Sequence, residues 1–227
     1  MNEGFWRTSR EQCYPRLEGR ESADVVVVGG GFAGLSVAHH LSAAGRSVVI
    51  LEKELIGNCG ARAAGILASS LERDLSDFLS CCGEAMARQV WQFASESVSS
   101  VESLCTTLRI PGEARWSRTP SYYFFREADR EYFEAEHELR LAYGFRSELH
   151  HDLAGPLQAS GFRGAIVTPQ DGLVDPFELS RALARELSRR ETVRIHEGSG
   201  VTSLDLARGT CATGAGTARF ARIVLAG

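Results

Sequence analysis

The sequence has no apolar run near the roughly 18 residues that a membrane-spanning helix needs, and its first residues are polar and charged rather than a signal-peptide core. That excludes an integral membrane segment and points to the cytoplasm. No C-x-x-C occurs, and no Cys/His spacing suits a metal cage, so a metal site is not expected. The six cysteines, Cys13, Cys59, Cys81, Cys82, Cys105 and Cys211, read as reduced small residues. No Ser/His/Asp set and no paired-carboxylate signature stands out, so no catalytic side chain is named. Internal repeats and low-complexity segments are absent. The net charge of −4 gives no footprint for nucleic acid. His39-His40 and His150-His151 are adjacent pairs. On a helix such neighbours point about 100° apart and cannot share a ligand face.

What remains is ordinary globular composition: 227 residues, 44% hydrophobic and 24% charged, enough for a large core and one or two domains. One stretch organises the chain. Residues 23–28 read Ala-Asp-Val-Val-Val-Val, a strand buried on both faces. Gly29-Gly30-Gly31-Phe32-Ala33-Gly34 follows and fits G-x-G-x-x-G. Gly29 allows the tight turn, Gly31 lets a pyrophosphate approach, and Gly34 lets the helix sit close on the strand. Phosphates would face the free N–H groups at the helix start, around Phe32 and Ala33. Leu35, Ala38 and Leu41 share one helical face, and Gly45 stops the helix. Val48 to Leu51 form a second strand ending in Glu52-Lys53. A carboxylate about 20 residues past the loop suits ribose hydroxyls and would repel a 2′-phosphate.

Around this unit the chain reads as follows. Residues 1–22, with Phe5, Trp6 and Tyr14, form an irregular arm. Ala61-Arg62-Ala63-Ala64-Gly65-Ile66-Leu67-Ala68 is small and apolar, read locally as a helix start. Ser76 to Leu108 is helical, with Met86, Val90, Phe93, Val101, Leu104 and Leu108 as its buried stripe; Pro111-Gly112 ends the segment. Trp116 and Tyr122 to Phe125 read as strands bound for the core. Glu127 to Tyr143 is a helix with a solvated charged face, stopped by Gly144. Residues 145–163 are irregular, and His150, His151 and Asp152 read as surface loop. A strand at Ala165 to Thr168 is followed by a turn at Pro169 to Gly172. Asp175 caps a helix starting at Pro176. Strands follow at Val193 to His196, Val201 to Leu206 and Ala218 to Leu225.

These residues resemble the FAD-dependent D-amino acid oxidase family in its broad sense, with glycine oxidase, sarcosine oxidase and the D-amino acid dehydrogenases. The likeness rests on the glycine fingerprint through Glu52, on Ala61 to Leu67, on Asp171-Gly172-Leu173-Val174-Asp175-Pro176, and on Gly200 to Leu204 with Ala221 to Gly227. It implies an α/β, Rossmann-like FAD-binding domain from residues 23–75 and 165–227. Residues 76–164 would form a helical and partial α+β substrate domain. It implies that Val201 binds adenine through its backbone and that Ala226 and Gly227 lie near the phosphates. Arg62, Ala63, Ala64, Gly65, Ile66 and Leu67 would lie beside the flavin ring or pyrophosphate. Gly57-Asn58-Cys59-Gly60 departs from the Gly-Ala-Ser of many relatives.

The family's reaction moves a hydride from the carbon beside an amine to the flavin, which carries the redox chemistry. The expected partner is a small amine or amino acid. Relatives continue past the position of Gly227, so this chain reads as truncated and is expected to have little activity alone. Two other readings stay open: an oxidoreductase using NAD at the Gly29 loop, and a non-catalytic dinucleotide-binding fragment.

Overall fold

The computed structural model describes residues 6, 13–58, 60–71, 73–110, 112, 114–151, 153 and 155–227. Phe5, Cys59, Pro111 and Asp152, singled out above, lie outside the described residues. In chain order the elements begin β1 (Gly19–Val28), α1 (Phe32–Ala43), β2 (Val48–Leu51), β3 (Ile66–Leu67), α2 (Leu75–Thr107), β4 (Ser117–Arg118), β5 (Ser121–Phe125) and α3 (Arg130–Ala142). They continue β6 (Glu148–His151), α4 (Pro156–Ala159), β7 (Gly164–Thr168), β8 (Gly172–Leu173), α5 (Pro176–Ser188), β9 (Val193–His196), β10 (Val201–Asp205), β11 (Thr210–Thr213) and β12 (Gly216–Leu225). Two compact units result. One holds the chain through Ala64, Gly112–Ala114 and Asp175–Gly227; the other holds Gly65–Pro111 and Arg115–Val174.

The first unit is built on a six-stranded sheet of order β10-β11-β12-β1-β2-β9. β1 pairs in parallel with both β12 and β2, and β2 with β9, while β10 and β11 run antiparallel. Val26 stands opposite Ile223 on one side and Val49 on the other. Val26 and Val27 are fully buried, as are Val48, Val49 and Ile50. Each such side chain contributes about 1.5–3 kcal/mol of burial. The strand's two faces have different partners. Val26 joins Leu17, Leu51, Cys211 and Phe220 in one cluster. Val27 lies toward α1, where its Cγ1 is 3.2 Å from the place a Gly34 Cβ would take. Leu35 and Ala38 are the fully buried face of α1, with Leu41 half-buried.

Asp175 caps α5 as its sequence implies. Its Oδ1 accepts the N–H groups of Phe177 and Glu178, both at 3.1 Å, with Pro176 in the first turn. Phe177, Leu179, Ala182, Leu183 and Leu187 form the buried stripe of α5. Midway along β1, just before its pairing with β2 begins, the Asp24 carboxylate accepts the Ser47 N–H and hydroxyl, at 2.8 and 2.9 Å. That clamp fixes the turn between α1 and β2.

The second unit carries two three-stranded sheets, β3-β8-β4 and β5-β7-β6. Its helix α2 starts on an unusual cap. Asp74 at the N-cap makes no side-chain cap bond. Instead Glu136 of α3 accepts the N–H groups of Leu75 (2.9 Å) and Ser76 (3.1 Å). Arg140 completes the knot. Its Nε donates to Glu136 at 2.7 Å and its Nη2 to Asp74 at 3.0 Å. Its guanidinium lies over the rings of Trp91 and Tyr123.

Several expectations are corrected here. Residues 65–75 and 165–174 belong to the second unit, because β3 pairs with β8 and β7 pairs with β5 and β6. The arm is shorter than 1–22: β1 begins at Gly19, paired with Gly216, and Leu17 is buried. The Ala61 to Ala68 stretch is not a helix start but a 3-10 turn, Gly60–Arg62, followed by β3. Met86 and Phe93 of α2 are exposed, at 51% and 73%; the buried stripe is Ala87, Trp91, Val98 and Cys105. The phase changes because Gly83 leaves the helical conformation at φ 76° and because Phe78, Leu139, Tyr143 and Phe145 cluster around Trp91. The charged helix is not wholly solvated, since Glu136 and Arg140 are buried. Residues 145–163 are not irregular throughout, for β6 and α4 lie there. In β5 only Phe125 is fully buried, while Tyr122 is 49% exposed. β11 was not anticipated.

Two outcomes follow. Arg140→Ala strands a buried carboxylate, so the second unit should lose about 3–5 kcal/mol; a denaturation midpoint equal to wild type would contradict this. Asp24 is held below the usual carboxylate range, first by the Ser47 N–H and then by the Ser47 hydroxyl. A lowered folded-state value gives stability that is present above the unfolded value of about 3.9 and is lost as pH falls below it. Asp24→Asn should therefore flatten the acid limb of a Tm-against-pH curve below about pH 4, and an unchanged limb would refute the clamp.

Candidate dinucleotide site

The parallel strands end on one edge of the sheet of the first unit, and the fingerprint loop leaves β1 there. The ladder continues past the strand ends: Gly29 N donates to Leu51 O (2.9 Å), Ala226 N to Val28 O (2.8 Å) and Glu52 N to His196 O (2.9 Å). Strand order reverses at β1, with β2 and β9 to one side and β12 to the other. Such a switch point leaves a crevice beyond the carboxyl ends of the strands.

Three of the four glycines are there for a measurable reason. Gly29 has φ 106°, and a Cβ on it would stand 2.7 Å from Ala226 O. A Cβ on Gly34 would stand 1.9 Å from Gly29 O, which no side chain can accept. Gly30 was not singled out in the sequence, yet a Cβ there would meet Ile56 Cδ1 at 2.2 Å. Gly31 is the N-cap of α1 in extended conformation, and its carbonyl accepts Leu35 N at 2.9 Å. No side chain caps α1 and no acid lies in its first turn, from Phe32 through Gly34. The partial positive charge of the helix start is thus unmet by protein side chains, the setting in which helices bind phosphate.

Glu52 has a task the sequence did not disclose. Its Oε2 accepts the Gly30 N–H at 2.7 Å and its Oε1 accepts the Glu54 N–H at 2.8 Å. The carboxylate therefore shapes the loop directly. An ionised carboxylate has about four acceptor positions, so two remain for hydroxyl donors. Lys53 is exposed, but its stem approaches Gly200, where a Cβ would lie 3.1 Å from Lys53 Cβ. Val201 follows at the start of β10, half-buried against the core cluster of that sheet face.

The structure brings Gly29, Gly34, Ala226 and Gly227 to one point: a Cβ on Gly29 would also touch Gly227 N at 2.9 Å. Glu52 joins them through Gly30. The Ala61 to Leu67 segment is divided. Arg62, Ala63 and Ala64 lie exposed in the first unit, with Ala63 O accepting the Trp6 indole N–H at 3.0 Å. Gly65, Ile66 and Leu67 belong to the second unit, where Ile66 is 59% exposed. His150 and His151 belong to the second unit. They lie exposed on β6, beside Glu148 and Arg130 respectively. Among the described residues, no group of His, Cys, Asp and Glu could hold a metal ion, and no helix is long and apolar enough to cross a membrane.

The residues present fit a dinucleotide: a glycine cradle that any Cβ would fill, an uncapped helix start, and a carboxylate with acceptor positions to spare. Sequence reasoning missed Gly30, Ile56 and Glu197, which is 1% exposed and hydrogen-bonded to Ile56 N. The run of three glycines was the signal for the first; the other two left none.

Known proteins share this fold. A solved glycine oxidase from Geobacillus kaustophilus superposes with a TM-score of 0.74 at 22% identity, covering 91% of this chain and 55% of that one. Gamma-glutamylputrescine oxidoreductase of Escherichia coli is 27% identical over 189 residues, 81% of this chain and 43% of its own length. Mitochondrial dimethylglycine dehydrogenase of Rattus norvegicus is 29% identical over 196 residues, 82% of this chain and 21% of its own. The chain thus spans less than half the length of either of these two relatives. The profile described as DAO, FAD dependent oxidoreductase, matches residues 24–227, and the chain belongs to that family.

Proposed function

We propose that this chain is the FAD-binding part, with a portion of the substrate part, of an enzyme that oxidises the C–N bond of an amino acid or amine. The observation that carries the reading is the loop itself: Gly29, Gly30 and Gly34 leave no room for side chains, and Glu52 faces Gly30 inside a match to the FAD dependent oxidoreductase family. The kinds of protein it resembles, a glycine oxidase, a dimethylglycine dehydrogenase and a gamma-glutamylputrescine oxidoreductase, support an amine or amino acid as substrate.

In this reading the N–H groups at the start of α1, from Phe32 through Gly34, hold the diphosphate, and Gly31 keeps its approach open. Glu52 accepts the ribose hydroxyls with the acceptor positions its two backbone bonds leave. Lys53 flanks the ribose, and Val201 meets adenine through its backbone. Ala226 and Gly227 border the phosphates, and Arg62, Ala63, Ala64, Gly65, Ile66 and Leu67 line the flavin side. FAD supplies the acceptor for a hydride from the carbon next to nitrogen, and water then hydrolyses the imine. The work left to the chain is to bind, orient and keep water from the diphosphate. Cys81, Cys82, Cys105 and Cys211 are free thiols, which supports a reducing compartment such as the cytoplasm.

The test is a titration of the purified protein with FAD and, separately, with NAD. Flavin fluorescence should be quenched on binding, and NAD should not compete. A protein that binds NAD in preference to FAD would overturn the reading. Glu52→Gln should weaken FAD by about ten- to a hundredfold, the cost of about 1.5–3 kcal/mol for a charge-assisted hydrogen bond. Unchanged affinity would remove Glu52 from the site. Gly31→Val should bind no FAD, since a branched side chain would stand in the path of the diphosphate. Retention of one FAD per chain by that variant would end the phosphate-loop assignment.

A further inference from the structure

Glu197 follows β9 and is buried, yet it lies outside the fingerprint. Its carboxylate accepts three backbone N–H groups from two distant segments. Oε2 accepts from Cys13 at 2.7 Å and Tyr14 at 3.0 Å; Oε1 accepts from Ile56 at 2.7 Å. The neighbouring backbone adds to the seam. Gly198 N donates to Glu54 O (3.0 Å), and Ser199 N donates to Glu52 O (2.7 Å). The Ser199 hydroxyl accepts Leu17 N at 2.9 Å and donates to Glu197 O at 3.0 Å.

The segment so anchored, Glu52 to Ile56, is the one that grips Gly30. The Glu52 carboxylate holds the Gly30 N–H, and Ile56, itself 1% exposed, puts its Cδ1 where a Gly30 side chain would be. Gly30 is therefore fixed between one side chain's charge and another's bulk. Both come from a stretch whose backbone is tied to residues 196–199. A carboxylate bonded to three amides is a stiff tether, because each bond is charge-assisted and the one to Ile56 is buried away from water.

We propose that Glu197 is a positioning residue for the cofactor loop, acting through Ile56, and that docking of the arm at Cys13 and Tyr14 on the same carboxylate is coupled to affinity for FAD. This rests on the FAD reading of the Gly29 loop. When the tether fails, Gly30 and its neighbours sample other conformations. The apparent dissociation constant then rises by the inverse of the fraction still competent to bind.

Glu197→Gln keeps the size but turns one acceptor into a donor facing N–H groups. At a temperature where the protein stays folded, it should bind FAD roughly fivefold more weakly or worse. Amide exchange of the 29–34 loop in the FAD-free protein should be faster. Glu136→Gln, a buried carboxylate of the second unit, serves as the control: it should lower Tm without changing either quantity. Ile56→Ala should mimic the loss, and the double variant should lose less than the product of the two single losses. An FAD affinity within about twofold of wild type in Glu197→Gln, or losses that multiply, would overturn the proposal. Should Glu197→Gln fail to fold, Ile56→Ala decides, and unchanged loop exchange in it refutes the tether. A wild-type protein that binds no FAD would count against the function, while loop exchange in the FAD-free protein still tests Glu197.

Discussion

Everything at the binding edge depends on one close approach of backbone to backbone. The carbonyl of Gly29 occupies the volume beside Gly34 that any other residue would fill. This contact lets α1 lie directly on β1, and it sets the direction in which the helix start points. Helix–strand distance, the turn at Gly29 and the reach of Ala226 toward that turn are all consequences of it. A loss of space there would be felt by three strands at once, since β1 bonds to β2 and β12 just below the loop.

The second theme is the use of carboxylates, three of them buried, to satisfy loop amides. Glu52, Glu197, Asp175 and Glu136 each accept two or more backbone N–H groups. A buried N–H without a partner costs about 1–3 kcal/mol, so segments between strands need such acceptors if they are to lie close to the core. Carboxylates serve well because one group can serve several donors. In the first unit three of these acids draw the arm, the loop after β2 and the start of α5 onto one framework. In the second, a single acid replaces the missing side-chain cap of α2, and the arginine beside it makes its burial tolerable.

What could be read from sequence divides along the same line. β1, its glycine loop, α1 and β2 are encoded locally, by four valines, fixed glycine spacing and a small-residue helix face. The cap at Asp175-Pro176 is equally local. Ile56 and Glu197 are not, because the contact between them joins segments more than a hundred residues apart, and the part Gly30 plays depends on the same Ile56. The stripe of α2 was misjudged for a related reason. Met86 and Phe93 are as apolar as Trp91, and only distant partners such as Leu139 and Phe145 decide which of them is covered. The exposed Tyr122 and the buried Arg140 show the limit of composition: hydropathy ranks residue types, whereas burial belongs to positions. β11 was hidden because Thr-Cys-Ala-Thr between two glycine-bearing turns carries little pattern at all.

The parallel pairing of β1 with β12 has a consequence for synthesis. Gly19 meets Gly216, and Val26 meets Ile223, so β1 waits for a partner strand made about 200 residues later. At roughly 5–20 residues per second on the ribosome, that wait is on the order of 10–40 s. Throughout it the apolar half of β1, Val25 to Val28, has one edge unpaired. The inserted stretch between, with its own sheets and its own buried ion pair, can be completed in the meantime. A nascent Val25 to Val28 segment held open for that long is a natural substrate for chaperones that bind extended apolar chain.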